Sequence, residues 1–89
     1  MNAIITVIGQ DRMGILAKVS MACFENNANI IDVNQRVMQD YFSMIMLADI
    51  TELNCDFGKF SVNVQAAGEE MGMTVHVMHE DIFNSMHRV

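Results

Sequence analysis

The segment from Gly9 to Gly14 carries the side chains best suited to bind a small molecule, with Gln10, Asp11 and Arg12 lying between two glycines. The residues before it are β-branched and those after it are apolar at helical spacing, so the segment is predicted to join a strand to a helix. A helix N-terminus presents unpaired N–H donors and the positive end of the helix dipole. A glycine there lacks the Cβ that would hold a ligand away from the backbone, so a carboxylate can bind.

The same residues have structural interpretations that the sequence leaves open. Gly14 serves equally well for a tight turn or for close packing. The Asp11 carboxylate is suited to cap the helix. A phosphate-binding P-loop is excluded, because Ile15 and Leu16 follow the second glycine in place of Lys and Ser.

A second group of residues with metal-binding side chains lies near the C-terminus: His76, His79, Glu80, Asp81 and His87. Imidazole and carboxylate groups together are typical zinc ligands. In a strand, however, His79 faces away from His76, and in a following helix His87 lies two turns further on. We therefore expect a polar cap over the core, with neither a metal site nor a cofactor.

No spacing in the chain predicts a catalytic group. Asp32, Asp40 and Asp49 have no His, Ser or Cys placed beside them, so no acid–base pair is recognisable. Cys23 and Cys55 stand 32 positions apart and outside any CxxC pair, which predicts neither a disulfide nor a thiolate metal site. No signal-peptide pattern precedes the first predicted strand. We expect a cytoplasmic protein that is not an enzyme.

Composition limits the kind of protein further. Eighty-nine residues suit a single domain over 1–89, with its function on one core or on a surface shared between copies. The net charge of −6 opposes a surface that follows phosphates, so no nucleic-acid partner is expected. The chain is 52% hydrophobic, yet no apolar run approaches the roughly 20 residues that span a bilayer, so no membrane association is expected. The ten methionines suit either core filling or an adaptable contact surface.

Hydrophobic periodicity predicts six elements and a helical tail. A helix is predicted over 56–71 despite Gly58 and Gly68, because the period holds, Asn54 or Asp56 can cap it, and Gly72 can end it. In order, the predicted elements are a strand over 2–8, a helix from 13 that ends at Asn26 and Asn27, strands over 30–39 and 42–50, the helix over 56–71 and a strand over 73–78. The helical tail that follows has apolar Ile82, Phe83 and Met86. Acidic Glu80 and Asp81 lie in its first turn and basic His87 and Arg88 in its last.

This order, βαββαβ with a tail, predicts an α+β, ferredoxin-like sandwich in which two helices cover one face of a four-stranded antiparallel sheet. Right-handed crossovers place the first and third strands in the centre. Both are apolar on both sides, so a second subunit, the tail or both must cover the second face, and we predict a homodimer. The second strand is predicted to have one apolar and one polar side, formed by Ile31, Val33 and Val37 and by Asp32, Asn34 and Arg36 respectively.

The segment Asp11-Arg12-Met13-Gly14-Ile15-Leu16, followed by Asn29-Ile30 fifteen residues after Gly14, resembles the signature of the ACT domain. Segments 38–46 and 79–88 are similar to short stand-alone ACT proteins of bacteria and archaea, a family of unassigned function, so that the resemblance covers essentially the whole chain. It implies a small regulatory module that binds an amino acid across a dimer interface, held by the residues that correspond to Asp11 and Asn29. The ligand site that the resemblance implies consists of Gln10, Asp11, Arg12, Met13, Gly14, Ile15, Asn29 and Ile30.

Two positions depart from the family's pattern. Asp11 would repel a ligand carboxylate and attract its ammonium group, and Met13 stands where the family often has a turn-setting proline. Our first hypothesis is a homodimeric regulatory module that binds an amino-acid-like small molecule. The alternative is a structural adaptor that engages another polypeptide through an apolar, methionine-rich surface.

Overall fold

The computed structural model describes residues 1–86, and it confirms the ferredoxin-like prediction. The elements are β1 (Asn2–Gln10), α1 (Ile15–Glu25), β2 (Asn29–Met38), β3 (Tyr41–Asp49), α2 (Phe57–Glu69), β4 (Thr74–His79) and α3 (Glu80–Met86). The four strands form one sheet in the order β2-β3-β1-β4, and every neighbouring pair is antiparallel. β1 and β3 are therefore the central strands, as predicted.

The core lies between the sheet and the two longer helices. Ile5 and Val7 of β1 and Met44 and Met46 of β3 point to this side and are almost fully buried. α1 packs against β2 and α2, while α2 packs against β4 and places Phe60 in the core. The methionines divide between the two roles that the sequence left open. Three of the ten are buried in this core: Met44, Met46 and Met73. Five are strongly exposed: Met1, Met13, Met21, Met38 and Met86.

Local capping explains where the helices end. Asp56 rather than Asn54 caps α2, because its carboxylate accepts the N–H of Lys59 at 2.8 Å. Gly72, with φ +75°, turns the chain after α2. α1 ends at Asn26, and Asn27 adopts the left-handed conformation with φ +62°, a conformation that Asn tolerates better than most residues.

Two predicted boundaries were wrong in ways that affect the loop before α1. β1 continues through Gly9 and Gln10, because these residues pair with Phe42 and Tyr41 across the sheet. α1 begins at Ile15 rather than at residue 13, because Gly14 has φ +90° and lies outside helical geometry. The other boundaries differ from the predicted ones by one or two residues. The acids Glu80 and Asp81 occupy the first turn of α3 as predicted, and His87 and Arg88 lie outside the described residues.

The predicted alternation of β2 was wrong at one residue. A bulge between Ile30 and Asp32 leaves Ile31 as an extra residue, so that Ile30 rather than Ile31 pairs with Ala48. Beyond the bulge the pattern follows the prediction. Asp32, Asn34 and Arg36 pair with the β3 residues on the side away from the helices: Leu47, Ile45 and Ser43.

The tail covers part of the second face of the sheet. Phe83 of α3 lies over Ile4 and Met78, and these residues enclose a cavity of about 200 Å³ together with Thr6 and His76. Ile8 and Ile45 stay 54% and 50% exposed on the same face. The tail thus covers the second face at Ile4 and Met78 and leaves Ile8 and Ile45 half-exposed. In the part of the chain that the structure describes, no helix has the length and apolar character needed to cross a membrane.

Candidate functional site

The loop between β1 and α1 is built on Gly14. Its carbonyl oxygen accepts the N–H of Lys18 at 3.0 Å, which makes Gly14 the residue that precedes the helix. No side chain caps the N–H groups of the first turn, so Asp11 does not have the capping role that was one of its two interpretations. An added Cβ on Gly14 would meet only the Met71 methyl group, at 3.8 Å. Position 14 therefore requires glycine because of its left-handed backbone conformation, and the space beside Gly14 is open.

Main-chain contacts hold this loop in place. The N–H of Asp11 donates to the carbonyl oxygen of Asp40, in the turn between β2 and β3, at 2.7 Å. The Gln10 side-chain amide donates to the Asp40 carboxylate at 3.4 Å. On the helix side Gly9 packs so closely against the Met73 side chain that a Cβ would lie 2.9 Å from its sulfur. The loop is thus fixed at its strand end.

The side chains of the loop point outward. Gln10, Asp11 and Arg12 are exposed, and Met13 is 95% exposed at the tip. Within residues 1–86 neither Asp11 nor Arg12 forms an ion pair, so each is free to meet a ligand charge of opposite sign. Ile15 differs, because its side chain is buried in the core and only its backbone faces the loop.

The structure does not bring Asn29 and Ile30 to this loop within one chain. Asn29 pairs with Asp49 at the far end of β3, whereas the loop follows Gln10, which pairs with Tyr41 at the near end. Eight residue steps of β3 separate these ends, which corresponds to roughly 26 Å along the strand. The two halves of the predicted site lie at opposite ends of the sheet.

A groove between α1 and α2, which the sequence analysis missed, has a volume of about 520 Å³. Buried Asn26 lines it, donating to the Ala22 carbonyl at 2.6 Å and accepting from the Asn63 amide at 2.8 Å and the Cys55 thiol at 3.3 Å. Lys18 and Glu70 form an ion pair across it. The only sequence signal was the cluster of asparagines at the end of α1. These bonds tie the C-terminal end of α1 to the middle of α2 and to the segment that precedes α2.

Among residues 1–86 the titratable groups are not arranged as an acid–base or nucleophile–base pair. Burial raises the pKa of the Cys23 thiol to about 11, which keeps it protonated and inert. Hydrogen bonds from Thr51 hold the pKa of Asp49 below its ordinary value. His79 packs on Phe57 with ring centroids 4.8 Å apart, while His76 lies on the second face. Among residues 1–86 no three His, Cys, Asp or Glu side chains are grouped to hold a metal ion. His87 lies outside the described residues.

The βαββαβ sheet and the glycine loop before α1 agree with the architecture of the ACT domain, and the family model described as ACT domain matches residues 2–78. The chain belongs to the ACT domain family. The UPF0237 protein of Methanocaldococcus jannaschii is 50% identical over 88 residues, covering 99% of this chain and 98% of that protein. The UPF0237 protein of Listeria innocua is 42% identical over 89 residues, covering the whole of both chains.

Solved structures agree with this assignment. An ACT domain protein from Streptococcus pneumoniae is 34% identical and superimposes with a TM-score of 0.80, covering 93% of each chain. The regulatory subunit of aspartate kinase from Thermus thermophilus shares the fold, with a TM-score of 0.67, 22% identity and coverage of 86% of this chain and 50% of that chain. ACT domains commonly serve as regulatory modules that bind small molecules.

Proposed function

We propose that this chain is a non-catalytic, cytoplasmic regulatory module that binds an amino-acid-like molecule as a homodimer. The ligand would lie at the β1–α1 loop of one subunit and against Asn29 of the other. The observation that carries the proposal is the separation of the two halves of the site within one chain. Where a two-fold axis lies perpendicular to the strands, the two sheets run antiparallel, and such a pair places the far end of one sheet beside the near end of the other.

The loop has the chemistry for a zwitterion. The N–H groups after Gly14, which no side chain within residues 1–86 caps, suit a carboxylate, and so does the Arg12 guanidinium. The Asp11 carboxylate suits an ammonium group, and neither Asp11 nor Arg12 forms an ion pair within that range. Gly14 leaves the space open for a ligand to approach the backbone. A molecule with both charges close together, as in an amino acid, therefore fits better than a simple anion.

Regulation follows from linkage. A ligand that contacts both subunits favours the dimer geometry that completes its contacts, and it can influence a partner protein only by its differential affinity for two states. A protein that shares this fold, from Thermus thermophilus, is named the regulatory subunit of aspartate kinase. We therefore expect the output of this module to be a change of subunit arrangement.

Isothermal titration of the wild-type dimer with each of the twenty amino acids tests the proposal. We expect heat of binding for one amino acid or a related group, and its loss in Gly14→Val, because the valine side chain fills the open space and strains a left-handed position. Gly72→Val is the matched control, because it also strains a left-handed glycine while no atom lies within 4 Å of its added Cβ. Absence of heat and of thermal shift with all twenty compounds would refute the proposal.

One observation favours the second candidate, an adaptor for another polypeptide. Ile8 and Ile45 are half-exposed on the second face of the sheet, and Met38 is exposed on the edge strand β2. A pull-down that recovers one stoichiometric partner without added metabolite, and loses it in Ile45→Asp, would support this candidate. Recovery that is unchanged in Ile45→Asp would refute it.

A further inference from the structure

A cavity lies between α3 and the second face of the sheet, on the side turned away from α1 and α2. Its volume is about 200 Å³, and its walls are Ile4, Thr6, His76, Met78 and Phe83. None of these five residues takes part in the proposed function. The cavity is therefore a second place where this chain could hold a small molecule.

Two cross-strand pairs form the floor of the cavity. Ile4 of β1 lies directly opposite Met78 of β4, and Thr6 lies directly opposite His76. The Cα atoms of such pairs are about 4.5–5.5 Å apart, so the two apolar side chains lie together and the two polar side chains lie together. Phe83 of α3 lies over the apolar pair. The cavity thus has an apolar end and a polar end.

The polar end is the mouth of the cavity. Ile4 is 8% exposed, Thr6, Met78 and Phe83 are half-buried, and His76 is exposed. Within residues 1–86 the Thr6 hydroxyl and the His76 imidazole form no hydrogen bond with another residue. A hydroxyl can both donate and accept, and a neutral imidazole has one donor and one acceptor. Both groups can therefore bind a polar group of a ligand that enters the cavity.

These walls fit a single aromatic ring that carries one hydroxyl group. Pockets for drug-sized ligands measure roughly 300–1,000 Å³, which is more than this cavity offers. A protein cavity of about 150 Å³ with apolar walls, however, holds benzene. A ring at the apolar end would contact the Phe83 ring and the Met78 thioether, and both contacts favour aromatic ligands. Its hydroxyl group would then face Thr6 and His76.

The charges around the cavity disfavour an anion. The carboxylate of Glu80, the first residue of α3, accepts a hydrogen bond from the Asn2 amide at 3.3 Å. Asn2 lies two residues before Ile4, on the same side of β1. Asp81 adds a second acid to the first turn of α3, and among residues 1–86 no Lys or Arg lines the cavity. A ligand carboxylate would be repelled, whereas a neutral hydroxyl group would not.

We propose that this cavity binds a small neutral aromatic molecule with one hydroxyl group, a ligand of the phenol class. The ring lies between Phe83 and the pair formed by Ile4 and Met78, and the hydroxyl group forms hydrogen bonds with Thr6 and His76. The site is independent of the proposed function, because it uses other residues on the other face of the sheet.

Binding would also hold α3 on the sheet. α3 has seven residues, none of them buried, and it follows β4 without a connecting residue. An element with few buried contacts opens at low free energy, and a ligand that binds only the closed form stabilises it. Hydrogen exchange of the α3 amides should therefore slow when the cavity is filled.

Titration of the wild-type protein with phenol, followed by two-dimensional amide NMR, tests the site. We expect phenol to bind with millimolar affinity and to shift the amide signals of Thr6, His76 and Phe83 more than those of α1. Benzoate, which carries a carboxylate on the same ring, should bind at least about tenfold more weakly. Absence of phenol binding at millimolar concentration, or benzoate binding as tightly as phenol, would overturn the proposal.

A variant without the threonine hydroxyl tests the polar end. Thr6→Val should weaken phenol binding roughly tenfold and leave the binding of toluene unchanged, because valine keeps the shape and loses one hydrogen bond. Thr74→Val is the matched control, because Thr74 lies on the same side of β4 and outside the cavity. Equal phenol affinity in Thr6→Val and Thr74→Val would overturn the proposal.

A variant of α3 tests the apolar end. Phe83→Ala should weaken the binding of phenol and of toluene alike, by at least about tenfold, because the ring loses one of its walls. Ile82→Ala, at the neighbouring position that is 54% exposed and outside the cavity, should leave both affinities unchanged. Phenol that binds Phe83→Ala as tightly as wild type would show that the ligand lies elsewhere.

Discussion

Gly68 is the position where two physical effects predict opposite results. It lies inside α2, where replacing glycine by alanine normally stabilises a helix by about 1 kcal/mol. In the fold, however, an added Cβ would collide with Cγ2 of Val75 on β4. It would also lie 3.4 Å from the Val75 Cβ and 3.7 Å from the Met73 Cβ, which are ordinary contacts. One methyl group therefore decides the outcome.

We expect Gly68→Ala to destabilise the protein. Overpacking of a closed core costs roughly 1–3 kcal/mol, and Val75 is a buried strand residue whose side chain has little freedom to rotate. After the gain in helix propensity is subtracted, the free energy of unfolding should fall by up to about 2 kcal/mol. Urea denaturation followed by far-ultraviolet circular dichroism, at one fixed protein concentration, measures this change.

A double-mutant cycle separates the collision from other causes. Val75→Ala alone should cost about 2 kcal/mol through lost burial and the cavity that it leaves. In G68A/V75A the new methyl group occupies the space left by the valine, so the combined loss should be at least about 1 kcal/mol smaller than the sum of the single losses. A more stable Gly68→Ala protein, or strictly additive losses, would show that the close approach of α2 to β4 is not what requires glycine.

Three further predictions concern single side chains. Asn26→Ala should lower the free energy of unfolding by about 2 kcal/mol, because it removes two good side-chain hydrogen bonds and a weak one from the Cys55 thiol. Asn84→Ala, at an exposed position, should change the free energy of unfolding by less than about 0.5 kcal/mol. Urea denaturation of the two variants compares these changes. Cys23, whose thiol pKa is raised to about 11, should resist iodoacetamide at pH 8 until the chain unfolds, while half-buried Cys55 is alkylated in the native state. Mass spectrometry of the digested protein measures the labelling of each cysteine. Labelling of Cys23 in the native protein would contradict the prediction. The pKa of Asp49 is lower in the folded state than its ordinary value near 4, so the ionised carboxylate stabilises the fold above pH 4 and this stabilisation is lost as the pH falls through the folded pKa. The difference in unfolding free energy between wild type and Asp49→Asn should therefore shrink from pH 6 to pH 3. A difference that stays constant over this range would contradict the prediction.

The element order could be predicted because each element carried its own period. α2 is the clearest case, since Phe60 and Val64 recur at helical spacing and outweigh two interior glycines. The reason for one of those glycines was not visible in the sequence, because it depends on Val75, which reaches Gly68 only through the packing of α2 on β4. Propensity describes the single helix, whereas the contact belongs to the tertiary structure.

The bulge at Ile31 escaped prediction for a related reason. Alternation over Ile31, Asp32 and Val33 looks regular, and only the pairing with Ala48 and Leu47 of β3 shows that one residue is extra. The loop before α1 was predicted from Gly9 and Gly14, and the structure confirms the strand before it and the helix after it. That Asn29 lies at the opposite end of the sheet follows from strand order and direction, and it becomes visible only when the elements are assembled.

The bond between the Asp11 N–H and the Asp40 carbonyl oxygen involves only main-chain atoms. The bond therefore requires only a backbone N–H at position 11, which every residue except proline supplies, and a backbone carbonyl at position 40. In chains with this fold, the side chains that contact a ligand can be substituted while the backbone of the loop keeps its position. Ligand selectivity can then change through substitutions at the tip of the β1–α1 loop, while the turn between β2 and β3 continues to hold the loop in place.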